Sequence, residues 1–227
     1  MVAEHHAEIL DLLTHARDGL KGERTRALNR LHDLLRDLIP GGVPRGLNLI
    51  KARAALRTVR PDTAIDQCRR DLARDLIGEV ARLEKLMDDY EQQIAGELQA
   101  SGTSLMKLPG INTIQAGKIL GEVGDVRRFP SAGHFASYTG AAPLDTSSGD
   151  NQRQRLNPGG NRQLNSVLHV MAVCQISHAG LGREYYLKKI QEGKTPREAR
   201  RALKRRLSNI IYRTMLRDLT AGKPAFS

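Results

Sequence analysis

The 227-residue chain has no Trp, only three Phe and five Tyr, and just two cysteines. Because its hydrophobic share of 40% is mostly aliphatic, we expect a mainly α-helical fold rather than an aromatic-rich β-sandwich. Cys68 and Cys174 lie far apart without a CxxC or Cys/His cluster, so neither disulfides nor a zinc site are indicated. We expect no metal or cofactor bound by this chain. No apolar run approaches the roughly 20 residues of a membrane span, so we expect a cytoplasmic protein without a membrane partner.

Acidic residues are scarce outside one segment. The formal net charge is +11, distributed as +4 over residues 1–60, −5 over 61–100 and +12 over 101–227. Basic side chains placed on phosphates release condensed counterions, so this excess predicts a nucleic-acid partner. The acidic segment predicts a spacer or an oligomerisation element, and with it a homo-oligomer.

Two domains are predicted, with a boundary near residue 100. Residues 1–100 show helical spacing of apolar residues, interrupted by the PGGVPRG stretch, and we expect a coiled-coil linker or oligomerisation segment there. The clearest repeat comprises Leu72, Leu76, Val80, Leu83, Met87, Tyr90 and Ile94. An antiparallel stalk, a dimer seam and a plain bundle core all fit this pattern. For residues 101–227 we expect a compact helical domain.

The run LMKLPGINTIQAGKIL resembles a helix-hairpin-helix motif, which we place at residues 105–124. Gly110 allows close backbone approach, and the N–H groups that open the next helix point at a phosphate. Lys107 and Lys118 add positive charge. This motif predicts binding to DNA or RNA without choice of sequence; an ordinary helical turn is the alternative.

Residues 141–160 have almost no apolar periodicity and predict a loop. Ser147, Ser148 and Gly149 place hydroxyls beside a glycine. Three arginines follow: Arg153, Arg155 and Arg162. Serine needs a base or metal to take its proton and positive charge over the reacting phosphate, and the arginines meet only the second need. Residue types alone favour a flexible loop over a catalytic site.

A basic helix is predicted at residues 196–217, where a row of arginines accompanies a single acidic residue before Leu216. Its apolar stripe should pack on the domain and leave cations, Arg201 and Arg205 among them, to contact phosphate.

Several motifs together resemble the IS110 family of insertion-sequence transposases, which are guided by a structured bridge RNA. They are LPGI, FASYTGAAPLDTSSG, GGNRQLN and GREYYLKKIQEGKTPREARRALKRRLSNIIYR, with GERTRALNRLHDLL upstream. The resemblance implies the serine-bearing C-terminal transposase domain, preceded by its coiled-coil linker. It implies that Ser148 becomes covalently joined to DNA, and that Arg155, Asn161 and Arg162 contact phosphates.

Members of this family carry an N-terminal RuvC-like domain whose four acidic residues hold magnesium. No segment of that kind precedes the first helix here, and Asp11, Asp18, Asp33 and Asp37 follow one helical pattern as surface charge. Magnesium is therefore implied only through the missing domain. We expect a chain that is inactive alone or works with a full-length transposase, near the nucleoid, with DNA and guide RNA as partners.

Two alternatives stay open. A non-catalytic DNA- or RNA-binding protein would use the hairpin motif and the basic helix alone. A tyrosine recombinase would use Tyr185 or Tyr186 with a positioned histidine, although the helical spacing of His169 and His178 favours core or surface roles.

Overall fold

The computed structural model describes residues 2–43, 46–142, 144–148, 151–155 and 159–221; residues 2–4 and the two strands are described by backbone alone. The chain is mainly α-helical, which confirms the predicted fold class. Its described helices are α1 (Val2–Leu38), α2 (Leu49–Thr58), α3 (Ala64–Ser101), α4 (Thr113–Val123), α5 (Ala132–Tyr138), α6 (Arg162–Ser177), α7 (Leu181–Gln191) and α8 (Pro196–Ala221). Strands β1 (Leu144–Ser148) and β2 (Asn151–Arg155) form one antiparallel pair.

The chain divides into two compact units. Unit 1 comprises residues 1–14 and 94–227, and unit 2 comprises residues 15–93. The boundary predicted near residue 100 lies shortly after the chain returns to unit 1. A division of labour between a linker and a catalytic domain stays a prediction.

Unit 2 is built on antiparallel pairing of α1 with α3. Its cross-helix ion pairs descend in order: Arg17 with Glu91 at 2.8 Å, Arg24 with Glu84 at 2.6 Å, and Arg30 with Glu79 at 3.3 Å. The buried apolar residues are Leu31, Leu35, Ala52, Leu56, Val59, Ala73 and Ile77. The pairing agrees with the antiparallel alternative, while a coiled coil as such stays a prediction.

Helix ends in unit 2 follow the sequence signals. Asn48 accepts a hydrogen bond from the Lys51 N–H at 2.9 Å and caps α2. Thr63 Oγ1 accepts the Asp66 N–H at 3.1 Å and caps α3. Leu72 is 50% exposed, however, and the buried face at the start of α3 runs through Ala73 and Ile77 instead.

Unit 1 packs helices from both ends of the chain around one core. Phe135, Leu168, Met171, Leu203 and Leu207 are almost fully buried in it. The first turns of α1, which belong to this unit, lie close against α4. A Cβ added to Gly121 of α4 would fall 2.7 Å from the backbone nitrogen of Asp11. Among the helices of the described residues, none is long and apolar enough to cross a membrane.

The segment predicted as a loop, residues 141–160, differs in the structure. Its backbone contains both strands, with Ser148 paired to Asn151 and Leu144 to Arg155. The strands lack the alternation of apolar and polar residues that marks a half-buried strand, and this explains the error. The overlooked signal is the intervening Gly149-Asp150 pair, because such pairs favour two-residue hairpin connections.

Candidate nucleic-acid interface

The strand pair carries Ser148 on its first strand. Ser148 is the last residue of β1, and Ser147 pairs with Gln152 of β2. Arg153 and Arg155 lie on β2, opposite Thr146 and Leu144. Gly149 falls outside the described residues, and so do the side chains of the two serines and two arginines.

The base of the strand pair is fixed against the end of α5. Gly140 has a φ of 67°, which favours glycine, and a Cβ on Gly160 would lie 2.5 Å from the Gly140 backbone nitrogen. The N–H groups of Ala141 and Ala142 both donate to the Ala136 carbonyl, at 2.8 and 3.0 Å. The two chain segments that lead to the strands therefore meet at one point of unit 1.

Asn161 holds the beginning of α6. Its Oδ1 accepts the Leu164 N–H at 2.9 Å, its backbone N–H donates to the Tyr138 carbonyl at 2.7 Å, and its amide donates to a Glu122 carboxylate oxygen. These bonds place Asn161 in the support of the strand pair. Arg162, the next residue, is exposed. Phosphate contact by either residue stays a prediction.

Three cationic or potentially cationic residues lie together near this base. Lys204 is 7% exposed and its Nζ donates to Asn165 Oδ1, while the Asn165 amide lies 3.5 Å from the Gly140 carbonyl oxygen. Burial lowers the pKa of Lys204, and Arg200 lowers it further. Burial also lowers the pKa of His169, with Lys204 and Arg200 adding to the effect. An anion at this place would be stabilised by the positive potential of Lys204 and Arg200.

Sequence reasoning missed the contribution of Asn165 and Lys204 to this cluster. In the sequence, Lys204 is one more cation of the basic helix, and nothing local marks it as buried. Asn161 and Asn165 are spaced by one helical turn in GGNRQLN, which puts both on one face of α6. That spacing was the available signal for Asn165.

The LPGI turn differs in part from the predicted motif. A three-residue 3₁₀ turn, Leu105–Lys107, precedes it instead of an α-helix, and α4 begins at Thr113 as predicted. Gly110 has a φ of 85°, and a Cβ there would lie 3.3 Å from the Met171 backbone. The close approach that Gly110 permits is to α6, and its contact with a ligand stays a prediction.

The N-terminus of α4 keeps part of its anion-binding capacity. Asn112 and Gln115 form a capping box, which satisfies both of their own N–H groups. Within the described ranges, the N–H groups of Thr113 and Ile114 make no hydrogen bond. Lys107 is exposed at the end of the 3₁₀ turn that precedes the LPGI turn's glycine, while Lys118 Nζ donates to Gln163 at 3.1 Å.

Helix α8 offers cations in two different environments. Arg205 Nη1 donates to the Ala132 carbonyl at 3.1 Å and to Asn209, and Arg201 is half-buried. The exposed cations of the helix are Arg197, Arg206, Arg213 and Arg217. The guanidinium carbon Cζ of Arg206 lies 4.7 Å from the centre of the Tyr185 ring, so this tyrosine packs against a guanidinium group.

Part of the chain is similar in sequence to proteins of insertion elements. Residues 102–187 match the model of the Transposase IS116/IS110/IS902 family. An "uncharacterized 43.6 kDa protein" of insertion element IS110 from Streptomyces coelicolor is 37% identical over 133 residues, 57% of this chain and 33% of that protein. The "uncharacterized 44.8 kDa protein" of insertion element IS116 from Streptomyces clavuligerus is 26% identical over 261 residues, 95% of this chain and 65% of that protein.

A third relative bears a different name. The "Pilin gene-inverting protein" of Moraxella bovis is 32% identical over 119 residues, 51% of this chain and 37% of that protein. These matches define a class, the insertion-element transposases and proteins similar to them. The match of residues 102–187 to the family model and the similarity to these insertion-element proteins bear out the resemblance to the IS110 family. The chain spans from 33% to 65% of the length of the two Streptomyces relatives.

Proposed function

We propose that this chain acts in DNA transposition, with unit 1 holding the sugar-phosphate backbone and Ser148 attacking a DNA phosphodiester. One observation carries the proposal. The family segment, residues 102–187, contains the strand pair with Ser148, and the base of that pair lies beside the cations Lys204 and Arg200. The cluster supports phosphate binding at the base of the strands.

The proposed step exchanges one phosphate ester for another. Ser148 Oγ attacks phosphorus and forms a new O–P bond, and the bond from phosphorus to one sugar oxygen of the DNA breaks. The Ser148 proton passes to a general base, and the departing sugar oxygen takes up a proton. Positive charge nearby stabilises the oxygens of the five-coordinate transition state. Because the number of phosphoester bonds is unchanged, a hydroxyl on another DNA end can reverse the step.

Magnesium belongs to this proposal only through a RuvC-like domain. The two strands contain one acidic residue, Asp145, so they do not by themselves offer the several oxygen ligands that Mg²⁺ prefers. The group that takes the Ser148 proton therefore lies outside the strand pair in this proposal, in another domain or in a full-length transposase partner.

A structured guide RNA is the second proposed partner. Unit 1 presents cations in places other than the strand base: exposed Lys107 at the α4 N-terminus and exposed arginines on α8. Separate cationic surfaces are what a protein needs to hold two polyanions at once. Assembly of several copies would bring two such sets together.

Excision of the complete insertion element in cells tests the function. We expect Ser148→Ala in this chain, supplied together with an intact transposase of the same family, to abolish the excision that depends on the chain. Ser147→Ala is the matched control, since it removes the same atom one residue earlier, and it should keep most activity. Equal excision by the Ser148→Ala and unaltered proteins would refute the nucleophile and favour a non-catalytic binding protein.

A further inference from the structure

Unit 2 contains a shallow cavity of about 240 Å³ that is largely open to solvent. Its lining residues are Arg53, Leu56, Arg57, Arg70, Arg74 and Ile77. On α2, Leu56 and Arg57 lie three and four residues after Arg53. On α3, Arg74 and Ile77 lie four and seven residues after Arg70. Each helix therefore contributes one continuous face, and the two faces together bring four guanidinium groups to one opening.

The floor of this cavity is apolar and fixed. Leu56 is 9% exposed and Ile77 is 8% exposed, and both belong to the core of unit 2. Arg53 and Arg57 flank Leu56 in sequence, and Arg74 and Arg70 lie one and two helical turns before Ile77. The backbone positions of the arginines are thus held by packing.

The charge of the cavity is largely uncompensated. Among the described residues, no carboxylate lies within 4 Å of the guanidinium groups of Arg53, Arg57 or Arg70, whereas Arg74 pairs with Asp71 at 2.8 Å. The Nε of Arg70 is also buried without a hydrogen-bond partner.

The arginines between α1 and α3 are in a different environment. Arg17, Arg24 and Arg30 pair with glutamates between α1 and α3. The arginines that pair α1 with α3 are therefore neutralised by glutamates, whereas among the described residues three of the four arginines at the cavity have no such partner. Ion pairing between helices does not explain this second group.

We propose that the four-arginine cavity binds a phosphate of a nucleic-acid backbone. Guanidinium groups give paired N–H donors that match phosphate oxygens, and the volume exceeds that of a water site but is below that of typical drug-sized pockets. The choice of nucleic acid rests on the proposed function, while the anion site rests on the cavity itself. The cavity gives unit 2 a direct part in binding, in addition to any linking role.

A charge-matched comparison in the full chain tests this site. The cavity variant is Arg53→Gln/Arg57→Gln/Arg70→Gln, and the control is Arg26→Gln/Arg82→Gln/Lys85→Gln, which removes the same charge from exposed positions of unit 2. Binding of a fluorescent duplex DNA about three helical turns long and of an RNA hairpin is measured from low to above-physiological KCl concentration.

We expect the cavity variant to lose about tenfold in affinity for at least one of these probes, and the slope of log K against log salt to fall by about one. The control should change affinity by less than about threefold. The two probes show whether DNA or RNA supplies the phosphate. Equal losses in both variants would reduce the effect to net charge and overturn the proposal, as would no loss in either.

Two further measurements distinguish phosphate binding at the cavity from a folding defect and from capture of a free anion. Thermal unfolding is followed for every variant; if the triple variant does not fold, Arg53→Gln alone is read in the same way, because Arg53 is exposed. Inorganic phosphate that stabilises only the unaltered cavity, with nucleic-acid binding unchanged in the variant, would identify a free-anion site and overturn the proposal. Ser148→Ala should bind both probes normally, so failure of the Ser148 chemistry is distinguishable from failure of this site.

Discussion

Gly140 and Gly160 lie in contact at the base of the strand pair, so closely that a Cβ on Gly160 would fall 2.5 Å from the Gly140 nitrogen. Neither position has room for a side chain: a Cβ on Gly140 would lie 2.6 Å from the Asn165 amide nitrogen. This contact determines where the chain enters and leaves the strands that carry Ser148.

Gly160→Ala should therefore destabilise unit 1. We expect a loss of about 1–3 kcal/mol, as in overpacked interiors, measured by urea unfolding. Gly96→Ala is the control, since Gly96 lies in α3 with no atom within 4 Å of an added Cβ, and it should be neutral or stabilising. Equal stability of the two variants would contradict the proposed closeness of Gly140 and Gly160.

Asn161 supports the same region through α6. Asn161→Ala removes the cap on the Leu164 N–H and should cost about 1 kcal/mol in urea unfolding. Asn161→Asp keeps an acceptor for that N–H but places a second carboxylate against Glu122. The Asp variant should therefore be less stable than the Ala variant at neutral pH and recover at acidic pH. Identical pH dependence of the two variants would argue against the contact with Glu122.

His169 reports the cationic cluster directly. Burial, Lys204 and Arg200 lower its pKa below the ordinary 6.5, so the unfolded chain binds more protons between the lowered value and 6.5. The free energy of unfolding should rise with pH in that window, and His169→Asn should remove this contribution. An NMR titration should show a midpoint below 6.5 that moves upward when duplex DNA is added. A midpoint above 6.5 in the free protein would contradict the cluster.

Lys107 tests the N-terminus of α4. Lys107→Gln should weaken duplex binding and reduce the salt slope by about one, because one phosphate contact is lost. Lys85→Gln removes the same charge from an exposed position of unit 2 and is expected to leave the slope unchanged. Anisotropy titrations at several salt concentrations make the comparison. The same decrease in both would mean that α4 has no particular role.

The sequence predicts most helices because their signals are local. Thr63 caps the start of α3, and the stretch rich in Pro and Gly follows the end of α1. Capping residues and helix-breaking residues both act within a few positions of the helix end. The contact of Gly140 with Gly160 joins two residues that lie twenty positions apart on either side of a polar segment. No periodic pattern of apolar residues in the sequence predicts this contact. The packing of Gly110 on α6 is equally long-range.

The four-arginine cavity could not be predicted from the sequence, for a related reason. Residues 61–100 carry a net charge of −5, and this average hides Arg70 and Arg74 near the beginning of α3. Their spacing matches that of Arg53 and Arg57, yet only the packing of α2 against α3 brings the two pairs to one opening. Net charge over a segment does not indicate which charges share a surface.

The central claim is that Ser148 is the residue that joins DNA. This chain, supplied together with an intact transposase of the same family, would be incubated with element DNA, denatured during the reaction, digested, and analysed by mass spectrometry for nucleotide-bearing peptides of this chain. We predict a nucleotide on Ser148, and none after Ser148→Ala. A nucleotide on Tyr185 or Tyr186, or an unchanged amount of adduct in the Ser148→Ala protein, would contradict the claim.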